Sequence, residues 1–329
     1  MFTPRIKGNI APREIKIAAE RASALLAAVF IMLTLLLRGA LPGEVAANVT
    51  AIAEANGPAR SKEAGPTPDP SLWIRLAEVD KDVGPEVVIK LMGLQPAGSL
   101  DNTGGGPKIL VYHTHDTEAY RMTETDVYEA SGSCRTEDAE HNVLAVGEEL
   151  CRILREEYGI YAIHACERHE KPLLTSAYSR SLETMRYYKR MYPSLEMFID
   201  LHRDGVDDTG FEKDFVTVDG LECARMMFVV GTGKSGKSSQ FAPEESDTEH
   251  DMPDFESNYA LALRLTETLL SYNDRFMRSV RVKSGKYNQQ VSDKCLLVEV
   301  GHNANTLEQA KNSMKYLARA ISELAAGGG

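Results

Sequence analysis

The chain is poor in basic charge and in cysteine. Its 329 residues contain 37 Lys and Arg against 48 Asp and Glu, a formal net charge of −11 at pH 7. Because phosphate contacts require clustered basic side chains, this balance argues against DNA or RNA as a partner. The five cysteines are scattered without CxxC spacing, which excludes a CxxC zinc or redox motif. Disulfides and small buried thiols remain as alternatives for them.

Long apolar runs are also scarce, and the one that stands out lies near the N-terminus. Ala22–Leu37 is uncharged, and the apolar stretch continues past Arg38 to Leu41, about the ~20 residues that a membrane-spanning helix needs. Basic residues outnumber acidic ones in residues 1–21, which predicts a cytoplasmic tail, an anchor at 22–41 and an exported remainder. Two alternatives are a signal peptide cleaved near Val45–Ala47 and a buried core helix.

The rest of the chain divides into two regions of different composition. Residues 42–106 are rich in Ala, Gly, Pro and charge, which predicts an extracytoplasmic linker containing one apolar segment at Leu72–Met92. From residue 107 to 329, strand-length apolar runs alternate with amphipathic stretches. The predicted strands are Lys108–Tyr112, Ile160–Cys166, Met197–Leu201, Met226–Val230 and Cys295–Val300. The predicted helices are Asn142–Tyr158, Leu174–Met191, Phe255–Tyr272 and Thr306–Leu324.

This alternation predicts an α/β domain with a mostly parallel sheet covered by helices on both faces. Three of its strands end in polar clusters, and ligands bind beyond the carboxyl ends of strands in such sheets. The clusters comprise His113, His115, Asp116 and Glu118; Asp200, His202 and Asp204; and Glu299 and His302. Strand alternation predicts that His113 and His115 share one face of the sheet, as do Asp200 and His202.

Imidazole and carboxylate groups are the protein ligands of catalytic zinc, which keeps one position for water. A nearby carboxylate can accept the proton of that water, and Glu299 fits this role because its strand is strongly apolar. A histidine at a strand end is more often a hydrogen-bonded structural residue. Three such clusters in one chain nevertheless favour a site.

Five segments resemble the stage II sporulation protein P family of endospore-forming bacteria, which is related to zinc N-acetylmuramoyl-L-alanine amidases. They are ILVYHTHDTEAY, RTEDAEHNVLAVGEEL, FIDLHRDG, FVVGTG and LLVEVGHNANTLEQA, and they extend through most of residues 107–325. The resemblance implies zinc binding by His115, His202 and an acidic residue, with Glu299 as the catalytic base. The acidic ligand is best matched by Asp138, four residues before Asn142.

Several neighbouring residues stay open as additional site residues. His113 is an alternative ligand or an oxyanion donor, the role of His302 is undecided, and Glu118, Glu137 and Glu140 compete with Asp138. The resemblance further implies hydrolysis of the amide between muramic acid and L-alanine in peptidoglycan, and endopeptidase activity on peptide cross-links. It also implies action at the engulfing membranes during sporulation, with stage II sporulation protein D and related engulfment proteins as partners.

Two other functions fit parts of the sequence. GTGKSGKS at Gly231–Ser238 matches the G-x-x-x-x-G-K-[ST] pattern of a P-loop, but Pro243 and a cluster of acids follow where a helix is required. We interpret this segment as a charged surface loop. The second alternative is a wall-binding scaffold without turnover.

The remaining histidines are assigned no metal. His141, His169 and His250 are predicted on the surface, and His164 in the core or at a strand end.

Overall fold

The computed structural model describes residues 77–81, 83, 87, 91, 94–206, 214–233, 252 and 254–326. They belong to one compact unit, Pro68–Gly329. The predicted anchor and the Lys237–Ser238 end of the P-loop match lie outside the described residues. Among the helices that are described, none combines the length and apolar character needed to cross a membrane.

A seven-stranded sheet forms the centre of this unit, and a two-stranded hairpin stands beside it. The sheet strands are β1 (Ala77–Val79), β2 (Ile109–Tyr112), β3 (Ala162–His164), β4 (Met197–Asp204), β7 (Met226–Gly231), β8 (Val280–Lys283) and β9 (Cys295–His302). The hairpin strands are β5 (Phe215–Val218) and β6 (Leu221–Ala224). The order across the sheet is β1-β8-β7-β9-β4-β2-β3.

Neighbouring strands of the sheet are parallel except at one place. β7 and β9 pair antiparallel, with Met227 opposite Glu299, and they join two blocks of parallel strands. Because parallel neighbours require crossover connections, helices separate most of these strands in the chain. The prediction of a mostly parallel sheet is confirmed.

Four helices cover the sheet: α1 (Val143–Tyr158), α2 (Ala177–Met191), α3 (Phe255–Tyr272) and α4 (Leu307–Ala326). Asn142 caps α1 by accepting a hydrogen bond from the Leu144 amide, and Gly159 ends it in the left-handed region at φ 64°. Apolar residues of α1, α3 and α4 share one core with Val111 of β2. Met185 of α2 packs with Leu110 on the opposite face, so both faces are covered.

The segment predicted to be a linker contributes to this unit. β1 lies within it and pairs with β8 at the sheet edge, and Val83, Val87 and Leu91 are buried in the main core. Part of residues 42–106 is therefore packed against the sheet.

Candidate functional site

The carboxyl end of β4 carries the first component of the site. Phe198, Asp200 and His202 alternate with Ile199 and Leu201, and the latter two join the main core. Asp200 and His202 therefore project to the α2 face, and the prediction that they share one face is confirmed.

Asp200 connects this strand to the loop after β2. Its carboxylate accepts hydrogen bonds from the Thr114 amide at 2.8 Å and the Thr114 hydroxyl at 2.6 Å, and Oδ1 lies 2.8 Å from Nε2 of His202. That last contact is an ion pair and not a hydrogen bond of normal geometry. Asp200 is a buried charge beside the His202 ring.

His115 reaches the same face because β2 ends at Tyr112 and the chain bends at Thr114 and His115. The His115 and His202 ring centroids are 5.3 Å apart in an edge-to-face arrangement. His115 Nδ1 lies 3.0 Å from Oε1 of Glu170, and its ring also meets that of Tyr178 edge-on at 5.8 Å.

His113 lies on the other side of the sheet, so the prediction that it shares a face with His115 is wrong. The bend after β2 separates the two rings. Nδ1 of His113 donates to the Leu201 carbonyl at 2.8 Å, and Nε2 lies 2.9 Å from Nε2 of His164. A Cβ atom at Gly147 of α1 would stand 2.6 Å from His113 Nε2, so the rings pack directly on that helix. Burial, with His164 beside it, holds the pKa of His113 well below its usual value.

Glu118 brings a nearly buried carboxylate to the histidine pair. Its Oε2 lies 3.4 Å from Nδ1 of His202 and accepts a hydrogen bond from the Arg203 amide at 3.1 Å. Burial opposes the charged form of His202, but Asp200 and Glu118 together raise its pKa well above the usual value. These carboxylates therefore create a place that favours positive charge.

Glu299 lies on β9 directly beside His202 in the parallel register of β4 and β9. Burial raises the pKa of Glu299 to about 7, with the nearby carboxylates of Glu118 and Asp204 adding to the rise and His202 opposing it. Its Oε2 is buried without a hydrogen-bond partner. A carboxyl group with this pKa can carry a proton in either direction near neutral pH.

The remaining predicted site residues lie apart from the histidine pair. Asp138 is 51% exposed, its Oδ2 is 3.9 Å from Nε2 of His141, and none of its contacts with described residues involves His115 or His202. His302 is buried, with Nε2 3.5 Å from Oδ2 of Asp214. The His302 imidazole, and Arg225 with it, lower the pKa of Asp214 to about 2 despite partial burial. Glu137 pairs with Lys171 at the surface.

Sequence reasoning missed Glu170, Arg135 and Tyr178, which all contact site residues. Each lies outside the strand-end clusters, in a loop or at the start of α2, where no spacing pattern marks it. His169 was predicted on the surface and is instead buried, with Nδ1 2.6 Å from the His113 carbonyl oxygen. Its polar neighbours Glu167, Arg168 and Lys171 are exposed, so the local sequence gives no sign that His169 is buried.

The donor types of the site fit zinc. Two imidazoles and a carboxylate are a common catalytic zinc set, and the orphaned, buried Oε2 of Glu299 is of the kind that a metal-bound water would satisfy. In the described part of the chain, however, no three His, Cys, Asp or Glu side chains form a ready-made metal-binding group.

The sequence profile of the stage II sporulation protein P family matches residues 48–322. The chain belongs to this family. The resemblance predicted from its motifs is confirmed. Stage II sporulation protein P of Bacillus subtilis (strain 168) is 28% identical over 241 residues, which are 68% of this chain and 52% of that protein. The chain thus spans about half the length of this family member.

Solved structures of N-acetylmuramoyl-L-alanine amidases superpose on this chain with low TM-scores. N-acetylmuramoyl-L-alanine amidase AmiC2 of Nostoc punctiforme covers 68% of this chain and 98% of its own, with 16% identity and a TM-score of 0.38. The N-acetylmuramoyl-L-alanine amidase of Clostridium difficile 630 covers 68% and 97%, with 12% identity and a TM-score of 0.37.

Proposed function

We propose that this chain is a zinc-dependent peptidoglycan hydrolase that cleaves the N-acetylmuramoyl-L-alanine amide, with peptide cross-links as a second substrate. The observation that carries the proposal is the meeting of His115, His202 and Glu299 at the ends of three neighbouring strands. Membership of the sporulation protein P family supports a role in sporulation.

His115 and His202 are the proposed imidazole ligands of zinc. For the acidic ligand we favour Glu118 over Asp138, because its Oε2 lies 3.4 Å from Nδ1 of His202, whereas Asp138 contacts neither histidine of the pair. Asp138, which the motif resemblance implies, is the alternative.

When bound, zinc would polarise the substrate carbonyl and lower the pKa of a water molecule. Glu299 accepts a proton from the attacking water and returns it to the departing amine nitrogen. Its pKa of about 7 suits both transfers, because neither protonation state is strongly disfavoured. Because Asp200 and His202 are buried, electrostatic interactions with the charge that develops beside them are stronger than in bulk water.

We further propose that residues 22–41 anchor the protein in the cell membrane by a single pass, with the catalytic domain outside. Cleavage of the N-terminal segment would release a secreted form. The engulfing membranes, and stage II sporulation protein D beside them, are the proposed setting.

The test is digestion of purified peptidoglycan by the full-length protein, followed by mass analysis of the released products. Free stem peptides would indicate amidase activity, and shortened cross-linked peptides would indicate endopeptidase activity. Chelation should abolish both, and added zinc should restore them.

Glu299→Gln removes the base while keeping the shape of the side chain. Its turnover should fall by ~10²- to 10⁴-fold, the usual share of a general base, with zinc content unchanged. Glu157→Gln, on the exposed side of α1, is the matched control and should retain full activity. Normal digestion by Glu299→Gln would disprove the assignment of the base.

A further inference from the structure

Glu170 is a nearly buried carboxylate that no motif of the sequence marks. Its side chain is 8% exposed and sits in the loop between β3 and α2. Oε1 lies 3.0 Å from Nδ1 of His115, and Oε2 accepts hydrogen bonds from the Thr117 amide at 3.2 Å and from the Thr117 hydroxyl. A carboxylate that leaves water needs such compensation, so its position beside His115 is specifically held.

We propose that Glu170 is a positioning residue that fixes the tautomer of His115 so that Nε2 can bind zinc. This inference rests on the proposed function. An ionised carboxylate only accepts hydrogen bonds, so the hydrogen of His115 must be on Nδ1. Nε2 then keeps its lone pair, and it makes no hydrogen bond to the described residues. A ligating histidine is commonly oriented in this way by a carboxylate behind it.

Arg135 lies between Glu170, which contacts His115, and Glu118, which contacts His202. One of its guanidinium nitrogens donates to Oε1 of Glu170, and the other lies 3.7 Å from Oε1 of Glu118. Glu118 in turn contacts His202. The planar fork of arginine can hold two carboxylates at once, whereas a lysine ammonium is a single point charge. Arg135 therefore links the carboxylate beside His115 to the carboxylate beside His202.

If Glu170 only held its loop in place, any substitution that loosens this loop would weaken zinc binding equally. The same loop is held independently, because the Glu170 amide donates to Oδ1 of Asp116 at 3.0 Å and Arg168 pairs with Oδ2 of Asp116 at 3.2 Å. Neither contact involves the His115 ring. Arg168→Ala therefore loosens the loop without touching the imidazole, and it is the matched control.

The first measurement is zinc affinity of the full-length protein, by competition with a chromogenic chelator. Glu170→Ala should bind zinc ~10- to 100-fold more weakly than the wild type, the usual effect of losing such a partner. Glu170→Gln keeps an acceptor oxygen and should recover part of the affinity, and Arg168→Ala should match the wild type. Equal affinity of Glu170→Ala and wild type would overturn the inference. If Glu170→Ala does not fold, the zinc affinities of Glu170→Gln and Arg135→Lys are compared with that of the wild type instead.

The second measurement is the tautomer of His115 in the metal-free protein, from two-bond ¹H–¹⁵N correlation spectra. The wild type should carry the hydrogen on Nδ1, and the Glu170 variants should shift it toward Nε2. A wild-type hydrogen on Nε2 would overturn the positioning role. Failure of the wild type to bind zinc would instead refute the proposed function, while the tautomer result still decides whether Glu170 orients His115.

Discussion

His113 and His115 stand two residues apart in one motif, yet their imidazoles lie in different surroundings. His113 is fully buried, and its two nitrogens face the Leu201 carbonyl and His164. The His115 side chain is 23% exposed, and of its two nitrogens only Nδ1 hydrogen-bonds to a described residue, Glu170. Both nitrogens of His113 are therefore used by the fold, whereas His115 keeps one nitrogen that can bind a ligand. The surroundings of the two rings, rather than the motif, separate these roles.

The largest expected effect is on zinc affinity, when His115 and His113 are each replaced by a residue without Nε2. His115→Asn keeps a donor near the Nδ1 position and should weaken zinc binding by more than ~100-fold, beyond the loss of an indirect partner. His113→Asn keeps the donor to Leu201 but removes the partner of Nε2 in half-buried His164, so it should lower the free energy of unfolding by ~1–3 kcal/mol.

Zinc titration and urea denaturation of both variants test this contrast. His113→Asn should retain the zinc affinity of the wild type. If His113→Asn lost zinc binding and His115→Asn retained it, His113 would be the zinc ligand and His115 the structural residue.

Glu118 and Asp138 are the two candidates for the acidic zinc ligand, and a smaller effect on zinc affinity distinguishes them. Glu118→Gln should weaken zinc binding by at least ~10-fold, because the carboxylate beside His202 loses its charge. Asp138→Asn should change it by no more than about twofold, as for a surface substitution. Chelator competition distinguishes them, and the reverse ranking would favour the ligand that the family resemblance implies.

The smallest effect is expected behind His113, at Gly147 of α1. Replacing a helix-interior glycine by alanine normally stabilises by ~1 kcal/mol. Here the added Cβ would lie 2.6 Å from Nε2 of His113 and 2.7 Å from Nε2 of His164. Gly147→Ala should therefore destabilise by ~1–3 kcal/mol through overpacking, measured by urea unfolding. A stabilised variant would show that the histidine pair does not pack against α1.

Much of the fold was predictable because its central strands are buried on both faces. The five predicted strands and four predicted helices all occur, with ends shifted by a few residues. β8 was missed because its sequence VRVK alternates buried valines with charged residues and is only four residues long. β1 was missed because its residues are only partly buried and sit in a segment rich in Pro and Gly.

The candidate site was predictable where its residues lie on strands or directly after them, and it was not predictable for Glu170 and Arg135, which lie in the loops before α2 and α1. His202 and Glu299 follow from strand ends that neighbour each other in a parallel sheet. His113 was misplaced because alternation ceases once β2 ends and the chain bends. Glu170 lies 55 residues from His115 in the sequence. A contact over this separation cannot be predicted from a local sequence pattern.

By itself, the sequence determined that apolar strands end in imidazole and carboxylate groups, because hydrophobic periodicity and residue chemistry are local properties. Only the tertiary structure decided which groups meet. The bend after β2 sends His115 to one face and His113 to the other, and loop packing brings Glu118, Glu170 and Arg135 to the histidines. Those contacts depend on the packing of distant segments, which residue spacing does not encode.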